Sequence, residues 1–546
     1  MKKISLIMLL AAGFLLPASC VKDEPEIDSL EYTRPLNVAA PVAVISSDYY
    51  TFLKRIAHNK VDPAPQILAG DDGLLYVVYS KDYEVRWNDV LNLNDIFWNT
   101  MALIPLSEGT SIHQQMENRV LLNSDSTQRV DSAIIDQTTM TVKAQPIGIS
   151  GTGTLTIPEF KHNGSVLKVE WALSEGVNTT VDLKGYEMIP SQNTDSSYVT
   201  PTLVLDGRAS TTSFDTYFDF NMSMTEILPE VIFGYFGNKE VYNKNSDMGL
   251  DFFDSYDFTE NIEFTGAYIG LTVDNWTGTP FDVTMDIMRF MTREADSMKI
   301  NFFNMDNTLY VEEVKHEDYR SDGNFTPRHN EYVLDESTSD VNSLLRYDPI
   351  SYKYNMTVVS NPHGSADSVG EPVVNFLTQE TTLQYHAKVY IPLWMRITDV
   401  DHTDSIDFDI NSIILDKDNA DFVDTMALYF TFNNGFPITL VAQAYLADDE
   451  GNIVDSLFAQ KEEVWSMPAV DNANRVTDKR AKTCQSYLDS EKIKKCSEAD
   501  VKKILLKSVV NSGTGRQNEE FYKIFKDYGM NMKFSFELTS NLSKKK

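Results

Sequence analysis

Aspartates are concentrated between residues 399 and 421, where side chains able to bind a hard cation recur at short intervals. Hard cations such as Ca²⁺ prefer several carboxylate oxygens supplied by loops. Asp399, Asp401 and Asp404 open this stretch and are the candidate calcium ligands. The stretch lacks the glycine at position six and the glutamate at position twelve of an EF-hand loop. Solvated turn aspartates are therefore the alternative interpretation.

Histidine, serine and glycine motifs do not predict a catalytic site. The 8 histidines are dispersed, and none belongs to the His-x-x-x-His pair of a zincin helix. The stretches 148–153 and 364–370 have the wrong spacing for a nucleophile elbow and indicate turns. Carboxylate pairs of the glycosidase type arise by chance in a chain with 80 acidic residues. The sequence predicts no catalytic residue and no cofactor other than the candidate calcium.

Two tryptophans are candidates for contacts with a glycan or a protein, because aromatic rings stack on apolar sugar faces and anchor interfaces. Trp276 lies in a predicted turn, where a core role is less natural. Trp394 lies on the face of its predicted strand opposite to Leu393. Packing within the protein is the alternative for both rings.

The first twenty residues have the features of a cleavable export signal. Lys2 and Lys3 form a basic start, and residues 4–16 form an apolar run too short to span a bilayer and stop there. Small residues then lead to Cys20. This pattern resembles a lipoprotein signal, which is cut before a cysteine that carries a diacyl lipid. The resemblance implies a lipid anchor on Cys20.

The residues around the cysteine also resemble one group of lipoproteins. Leu16 lies one position further back than is typical, with Pro17 after it, and such looser spacing is common in lipoproteins of the Bacteroidetes. The sequence Val21-Lys22-Asp23-Glu24 resembles the signal that exports their lipoproteins to the outer face of the outer membrane. An ordinary secretory peptide that ends in cysteine is the alternative. The resemblance implies an outer-membrane protein that faces the cell exterior, with the membrane as its partner.

The cysteine count is consistent with an oxidising compartment. If Cys20 is acylated, only Cys484 and Cys496 remain, and they enclose a short loop. A disulfide bond between them would stabilise the fold by about 3 kcal/mol. Two free thiols are the alternative.

Length and charge limit the class of protein. The 546 residues are enough for about three or four domains at roughly 150 residues each. The hydrophobic content of 42% predicts ordinary globular domains. The formal net charge of −33 argues against a nucleic-acid partner, because a polyanion would be repelled.

Alternation of apolar and polar residues predicts strands over most of the chain. The clearest runs are 383–397, with a bend or edge at Pro392, and then 530–538, 167–171 and 218–224. Two short helices are predicted, at 48–57 and at 497–507, although 504–510 also fits a strand. The fold class is therefore mostly β, with several antiparallel β-sandwich-like modules and few short helices.

An internal repeat is predicted from two matching stretches. Residues 254–258 match residues 404–408, and each match is followed by a strand, a turn with asparagine and proline, and another strand. The turns lie at 275–280 and 434–437 and predict β-hairpins. Chance similarity is the alternative.

The repeat and the composition shifts divide the chain into consecutive segments. They are a signal peptide at 1–20, an acidic tether at 21–40, a β-rich domain at 41–225, a first sandwich module with a connecting segment at 226–375 and a second module at 376–546.

Several short strings, among them 404–408, 434–437 and 446–452, resemble uncharacterised surface lipoproteins of the Bacteroidetes. This family resemblance implies a location and a β-rich architecture, but no activity. The first functional hypothesis is a non-enzymatic binding or scaffold protein for a glycan, a protein or an outer-membrane assembly. The alternatives are a carrier for a lipid or other hydrophobic ligand, which predicts an apolar cavity between sheets, and a hydrolase, which predicts carboxylates or a histidine in a cleft.

Overall fold

Strands dominate the computed structural model, as the period-two alternation predicts. The structure describes residues 36–48, 50, 65–123, 125–193, 196–214, 216–250, 261–292, 296–319, 325–344, 349–366, 370–414, 416–513 and 520–540. Strands account for 61% of the structure and helices for 7%, which confirms the mostly-β prediction. The described helices and 3-10 turns are short: Trp87–Val90, His316–Asp318, Val341–Leu344, Ile410–Ile413, Lys417–Phe422 and Ser490–Glu498. Cys20 and the rest of the predicted signal peptide lie outside the described residues.

The described strands form three nested groups of sheets, which we call the outer sandwich, the middle sandwich and the inner domain. The middle sandwich is inserted between two strands of the outer sandwich, and the inner domain is inserted between two strands of the middle sandwich. The outer sandwich contains residues 36–48 and 400–540, and the middle sandwich contains residues 66–86 and most of 239–392. The inner domain contains residues 87–235 and the short strand Asn375–Thr378.

The outer sandwich has two antiparallel sheets that face each other. One has the strand order Leu36–Asp48, Gly529–Ser540, Val423–Asn434, Arg480–Asp489. The other has the order Val400–Asp407, Lys503–Ser512, Ile438–Ala447, Ile453–Ser456. Glu462–Trp465 also pairs with Ile438–Ala447. Phenylalanines fill the interior: the rings of Phe430 and Phe534 stack at 4.7 Å, and Phe432 contacts Trp465 at 6.3 Å.

The middle sandwich also has two facing sheets. One has the order Gln66–Ala69, Leu75–Arg86, Thr382–Pro392, Tyr268–Asn275, Arg328–Leu334. The other has the order Lys239–Gly249, Ser351–Ser360, Phe281–Met291, Ser297–Lys299. Thr308–Val311 also pairs with Phe281–Met291. Tyrosines fill this interior: Tyr83 of the first sheet contacts Tyr354 of the second at 6.1 Å, and the Tyr385 hydroxyl donates to Met285 Sδ at 2.9 Å.

A small sheet joins the two sandwiches. Its strands are Ile262–Phe264, Trp394–Ile397 and Tyr522–Lys523. The predicted strand 383–397 breaks at Leu393, directly after Pro392, and its second part belongs to this sheet. Pro392 therefore marks a bend, as the sequence predicts, but its strand is central in the middle sandwich rather than at an edge.

The inner domain is built on a ten-stranded sheet. Its main path is Asn375–Thr378, Tyr217–Tyr235, Arg129–Ala144, Glu187–Met188, Ile149–His162, Thr202–Ala209, Ser111–Glu117. Ile96–Leu103, Val177–Asp182 and Ser165–Ala172 pair with strands of this path, and Ser191–Asn193, Ser196–Val199 and Val120–Leu121 form a second, small sheet. Residues 149–153, predicted as a turn, are in a strand instead, because Gly153 leaves room for the Trp171 indole, which a Cβ would approach to 2.3 Å.

The nested order differs from the predicted consecutive domains 41–225, 226–375 and 376–546. Leu36–Asp48 begins inside the predicted tether and pairs with the last described strand, Gly529–Ser540. Tyr217–Tyr235 continues across the predicted boundary at residue 225. Composition changes mark loops, but they do not indicate which sheet a strand joins, so the boundaries could not be placed from them.

The strand–turn–strand part of the predicted repeat is present in the structure, but its turns are not hairpins. In each copy the strand before the turn lies in one sheet of a sandwich and the strand after it lies in the facing sheet. Each turn is therefore an arch between sheets. The 254–258 copy of the preceding motif lies outside the described residues.

A buried asparagine stabilises each arch with the same three hydrogen bonds. Asn275 Nδ2 donates to the carbonyl of Thr279 at 2.8 Å and to that of Glu312 at 2.9 Å, and its Oδ1 accepts from the N–H of Thr277 at 2.9 Å. Asn434 repeats the pattern in the outer sandwich, with the carbonyls of Ile438 and Ser466 at 2.9 and 3.0 Å and the N–H of Phe436 at 2.9 Å. The side chain replaces the pairing that a hairpin would supply to these backbone groups.

The predicted disulfide bond is wrong for this structure, in which Cys484 and Cys496 are free, buried thiols. Cys484 lies five residues before the end of its strand, a distance of about 16 Å, and Cys496 lies in the helix Ser490–Glu498 that follows. A helix running straight back along the strand would recover about 10 Å of that distance, but this helix packs beside the strands Arg480–Asp489 and Val423–Asn434 rather than in line with them, and the two thiols are not bonded. Burial raises the pKa of both thiols, that of Cys496 to about 11.

The second predicted helix is placed differently. The structure has a helix at Ser490–Glu498 and a strand at Lys503–Ser512, so the strand interpretation of 504–510 is confirmed. Ser497 lies in the last turn of the helix rather than at its N-cap, which is Asp489. The other predicted helix, at 48–57, lies almost entirely outside the described residues.

Candidate functional site

An open cleft lies on the outer face of the inner domain, where four strands are adjacent. Their order is Ile96–Leu103, Tyr217–Tyr235, Arg129–Ala144, Val177–Asp182. The cleft has a volume of about 510 Å³. Its lining residues are Lys143, Ala144, Gln145, Pro146, Glu175, Gly176, Val177, Asn178, Asp219 and Asn221.

Alternation in the strands determines which side chains reach this face. In the strand from Tyr217, the side chains of Phe218, Phe220 and Met222 are buried in the core. The intervening Asp219 and Asn221 must therefore point away from the core, toward the cleft. The alternation of apolar residues predicts this strand, but it does not indicate a role for the polar residues between them.

One row of polar side chains crosses all four strands at the same level. Asn99 pairs with Asn221, Asn221 with Lys143, and Lys143 with Asn178, each as a direct cross-strand neighbour. We call these four residues the amide row. Asn221 Nδ2 donates to Asn99 Oδ1, which orders the two amides relative to each other. The row offers hydrogen-bond donors on every strand and acceptors on the three that carry asparagine.

Gly176 shapes one wall of the cleft. Its φ is +71°, and a Cβ at this position would lie 2.6 Å from the carbonyl oxygen of Ala144 and 2.8 Å from the nitrogen of Pro146. Only glycine fits both the positive φ and the close approach. The turn that contains Glu175 is therefore held against the segment Ala144–Pro146.

Exposed apolar side chains border the cleft on its free edge. Phe97, Met101, Leu103 and Tyr217 form this apolar margin, in which Met101 is 68% and Tyr217 57% exposed. Met101 is the direct neighbour of Asp219, and Leu103 that of Tyr217. In the described part of the chain, Ile96–Leu103 pairs with Tyr217–Tyr235 alone, and it contains no charged residue and no proline. The site thus combines amides with apolar surface.

The charged groups of the cleft are few and solvated. Lys143, Glu175 and Asp219 are all exposed, and together they give one positive and two negative charges. A carboxylic acid that donates a proton at neutral pH is normally desolvated. Glu175 and Asp219 are both solvated instead, so neither lies in the environment that such an acid requires.

The candidate residues from the sequence lie elsewhere. Trp276 is half-buried in the arch of the middle sandwich and contacts Phe325 at 6.1 Å. Trp394 is half-buried in the joining sheet, with the Lys523 ammonium 4.6 Å from its ring and Gly266 against its face. Its Nε1 is enclosed and has no hydrogen-bond partner in the described ranges. Neither ring lines the cleft.

In the described part of the chain, the candidate calcium ligands Asp399 and Asp401 belong to no metal-binding cluster. No group of three or more histidine, cysteine or acidic side chains is placed to bind a metal among the described residues. Asp399 has a φ of +49°, and its N–H donates to Asn511 Oδ1 at 2.9 Å. Asp401 is exposed in the strand Val400–Asp407. The side chain of Asp404, in the same strand, lies outside the described residues.

Comparisons with known proteins add little to this geometry. No protein-family model and no curated protein matches the chain. A presumed secreted protein from Parabacteroides distasonis is 13% identical with a TM-score of 0.28, over 56% of this chain and 82% of that one. An infectious bursal disease virus structure, Gt strain, is 9% identical with a TM-score of 0.16, over 89% and 74% of the two chains. Within the described ranges, no helix combines the length and the apolar character needed to cross a bilayer.

Proposed function

We propose that this protein is a non-enzymatic binding protein, anchored to the outer membrane through a lipid on Cys20, and that the cleft of the inner domain binds a glycan. The observation that carries the proposal is the amide row beside an exposed apolar margin. Sugar hydroxyls both donate and accept hydrogen bonds, and an amide side chain can satisfy either role. The ring of a sugar also has an apolar face, for which Tyr217 and Met101 supply a matching surface.

The two other hypotheses have less support. A glycosidase of the two-carboxylate type needs a carboxylic acid whose environment keeps it protonated, but Glu175 and Asp219 are exposed. A carrier needs unfilled apolar space, whereas the interior of the middle sandwich is occupied by buried rings such as Tyr352 and Tyr385. The cleft lies on an exposed face of a sheet and combines polar with apolar side chains, which suits a soluble sugar better than a lipid that needs an enclosed apolar cavity.

The anchor is supported by the leader alone, and its test is separate from that of the cleft. Intact-mass measurement of the protein extracted from outer membranes should give a mature chain that begins at Cys20 and carries a diacylglyceryl group. A Cys20→Ala variant should not be processed in this way. An unmodified mature N-terminus would refute the anchor but not the cleft.

Binding to a glycan array, followed by calorimetry, tests the cleft. Asp219→Ala and Asn221→Ala should each weaken binding about tenfold, which corresponds to about 1.4 kcal/mol, or one hydrogen bond to a charged or well-placed group. Thr139→Ala is the matched control, because Thr139 lies on the strand of Lys143 and is exposed. Equal affinities for all three variants, or no binding to any glycan, would refute a glycan site here.

The apolar margin supports a second candidate, a protein partner that adds a strand to the uncharged edge Ile96–Leu103. Met101→Glu should then abolish co-purification of an outer-membrane protein, while Asn178→Ala should not. Under the glycan proposal, Asn178→Ala reduces glycan binding and no protein co-purifies. The two variants therefore separate the two functions.

A further inference from the structure

The length of the amide row constrains the size of the ligand. Its four residues lie on four adjacent strands, so the row extends over three strand spacings, or about 14 Å. This exceeds the width of one sugar ring. A monosaccharide would contact two of the four side chains at most and leave the ends of the row unused.

The charges that face the row constrain the chemistry of the ligand. Lys143 is the one cation among the side chains lining the cleft, and Glu175 and Asp219 oppose it. Asp182 is exposed at the far end of the strand that contains Asn178. The chain as a whole carries −33. A uronic or sulfated glycan would therefore be repelled, both at the site and during its approach.

The direction of the row constrains the orientation. Because the four residues are cross-strand neighbours, the row runs perpendicular to the strands, from the apolar margin at Asn99 to the turn that precedes Asn178. Asn99 adjoins the exposed ring of Phe97 on its own strand. One end of the ligand thus meets an apolar surface and the other a polar turn.

From these three features, and on the basis of the proposed glycan function, we infer that the ligand is an uncharged oligosaccharide that lies across the strands along the amide row. Asn99 and Asn178 bind its two ends, and Asn221 and Lys143 bind its middle. Hydrogen bonds to hydroxyl groups supply the affinity, and no charge pair is required.

Calorimetry with oligosaccharides of defined length tests this inference. The probes are malto-, cello- and manno-oligosaccharides of one to six units, together with hexasaccharides of galacturonic acid and heparin. The neutral series that binds should gain at least tenfold in affinity between the monosaccharide and its longest members. The two anionic hexasaccharides should not bind.

Variants at the two ends of the row sharpen the test. Asn99→Ala and Asn178→Ala should each weaken binding of the neutral hexasaccharide about fivefold, while affinity for the disaccharide changes less. Asn178→Gln should restore part of the loss, and Thr180→Ala, on the same strand and face, should have no effect. Circular dichroism of each variant confirms that the fold is retained.

The outcomes separate this inference from the proposed function. If no saccharide of either charge binds, the glycan function itself is refuted. If a saccharide binds but the monosaccharide is as good as the hexasaccharide, if an anionic probe is preferred, or if both end variants bind normally, the function stands and the inference is overturned.

Discussion

The middle and outer sandwiches use the same arch between their sheets but fill the space between those sheets with different side chains. Asn275 and Asn434 make equivalent hydrogen bonds, with donor–acceptor distances that agree within 0.1 Å. The outer interior contains stacked phenylalanines, whereas the middle interior contains tyrosines such as Tyr352, 0% exposed, and Tyr385, 2% exposed. The arch therefore constrains the backbone and leaves the composition of the core free to vary.

Burial of tyrosine costs free energy, because its hydroxyl group loses the hydrogen bonds that it makes with water in the unfolded chain. The Tyr385 hydroxyl donates to Met285 Sδ, and the Tyr83 hydroxyl contacts Ser246. The Tyr352 hydroxyl has no hydrogen-bond partner in the described part of the chain. The middle sandwich thus buries phenol hydroxyls where the outer sandwich stacks the apolar rings of Phe430 and Phe534.

Alkaline pH should produce the largest difference between the two sandwiches. Burial raises the pKa of Tyr352 and Tyr385 well above the ordinary value of 10.0, and that of Tyr354 is raised too. The unfolded chain then releases its phenol protons at a lower pH than the folded chain, so stability is complete below pH 10 and falls as pH rises above it. Urea titrations at about pH 9 and about pH 11, monitored by tyrosinate absorbance, should show the middle sandwich unfolding first.

A double variant provides the control for this prediction. Tyr352→Phe combined with Tyr385→Phe should reduce the loss of stability over the same pH range. An unchanged pH dependence would mean that other groups cause the alkaline transition.

Removal of either arch asparagine should have the next largest effect, and the same effect in both sandwiches. Asn275→Ala and Asn434→Ala each remove the amide group that binds two carbonyls and one N–H in a buried turn. We expect each to lower the free energy of unfolding by about 3 kcal/mol, measured by urea denaturation. Asn92→Ala, at an exposed position, is the control and should change it by less than about 0.5 kcal/mol. A large loss of stability at one arch and none at the other would contradict the prediction that the two asparagines stabilise their sandwiches equally.

A hydroxyl group introduced into the interior of the outer sandwich should lower stability less than the loss of an arch asparagine does. Phe430 is 4% exposed and is packed against Phe534 and Phe458. Phe430→Tyr would bury a polar group in this apolar space and should lower stability by about 2 kcal/mol. The same change at Phe97, which is 51% exposed, should be neutral. A neutral Phe430→Tyr would show that the two interiors are equally tolerant of phenols.

Removal of a hydroxyl from the middle interior should have the smallest effect. Tyr352→Phe deletes an oxygen without a described partner, so stability should change by less than about 1 kcal/mol and can increase. Tyr385→Phe should be slightly more costly, because it loses the contact with Met285. Thermal unfolding of the two variants side by side measures the difference. A loss above about 2 kcal/mol for Tyr352→Phe would reveal a role for its hydroxyl in the fold.

Local sequence predicted the strands well and their partners poorly. Residues 383–391 alternate between apolar and polar side chains because one face of the strand packs against the interior, and this signal is local. Whether the strand after an arch turns back onto the same sheet is decided by residues far away. Asn275 and Asn434 therefore gave the same turn signature as a hairpin, although each lies between two sheets.

The candidate site was missed for the same reason. Asn99, Lys143, Asn178 and Asn221 belong to four strands, and only the pairing register of those strands places them in one row. Their one local signal was a polar side chain between buried neighbours, as in Phe220-Asn221-Met222. The two tryptophans were more conspicuous in the sequence, but both are half-buried and neither lines the cleft.

The pairing of Leu36–Asp48 with Gly529–Ser540 has a consequence for how the chain acquires its structure. Contacts between residues so distant in sequence are entropically costly to form from an extended chain. Prior folding of the inner domain brings residues 86 and 239 together, and closure of the middle sandwich then does the same for residues 66 and 392. We expect the order of assembly to run from the centre of the sequence outward, with the first and last strands meeting at the end.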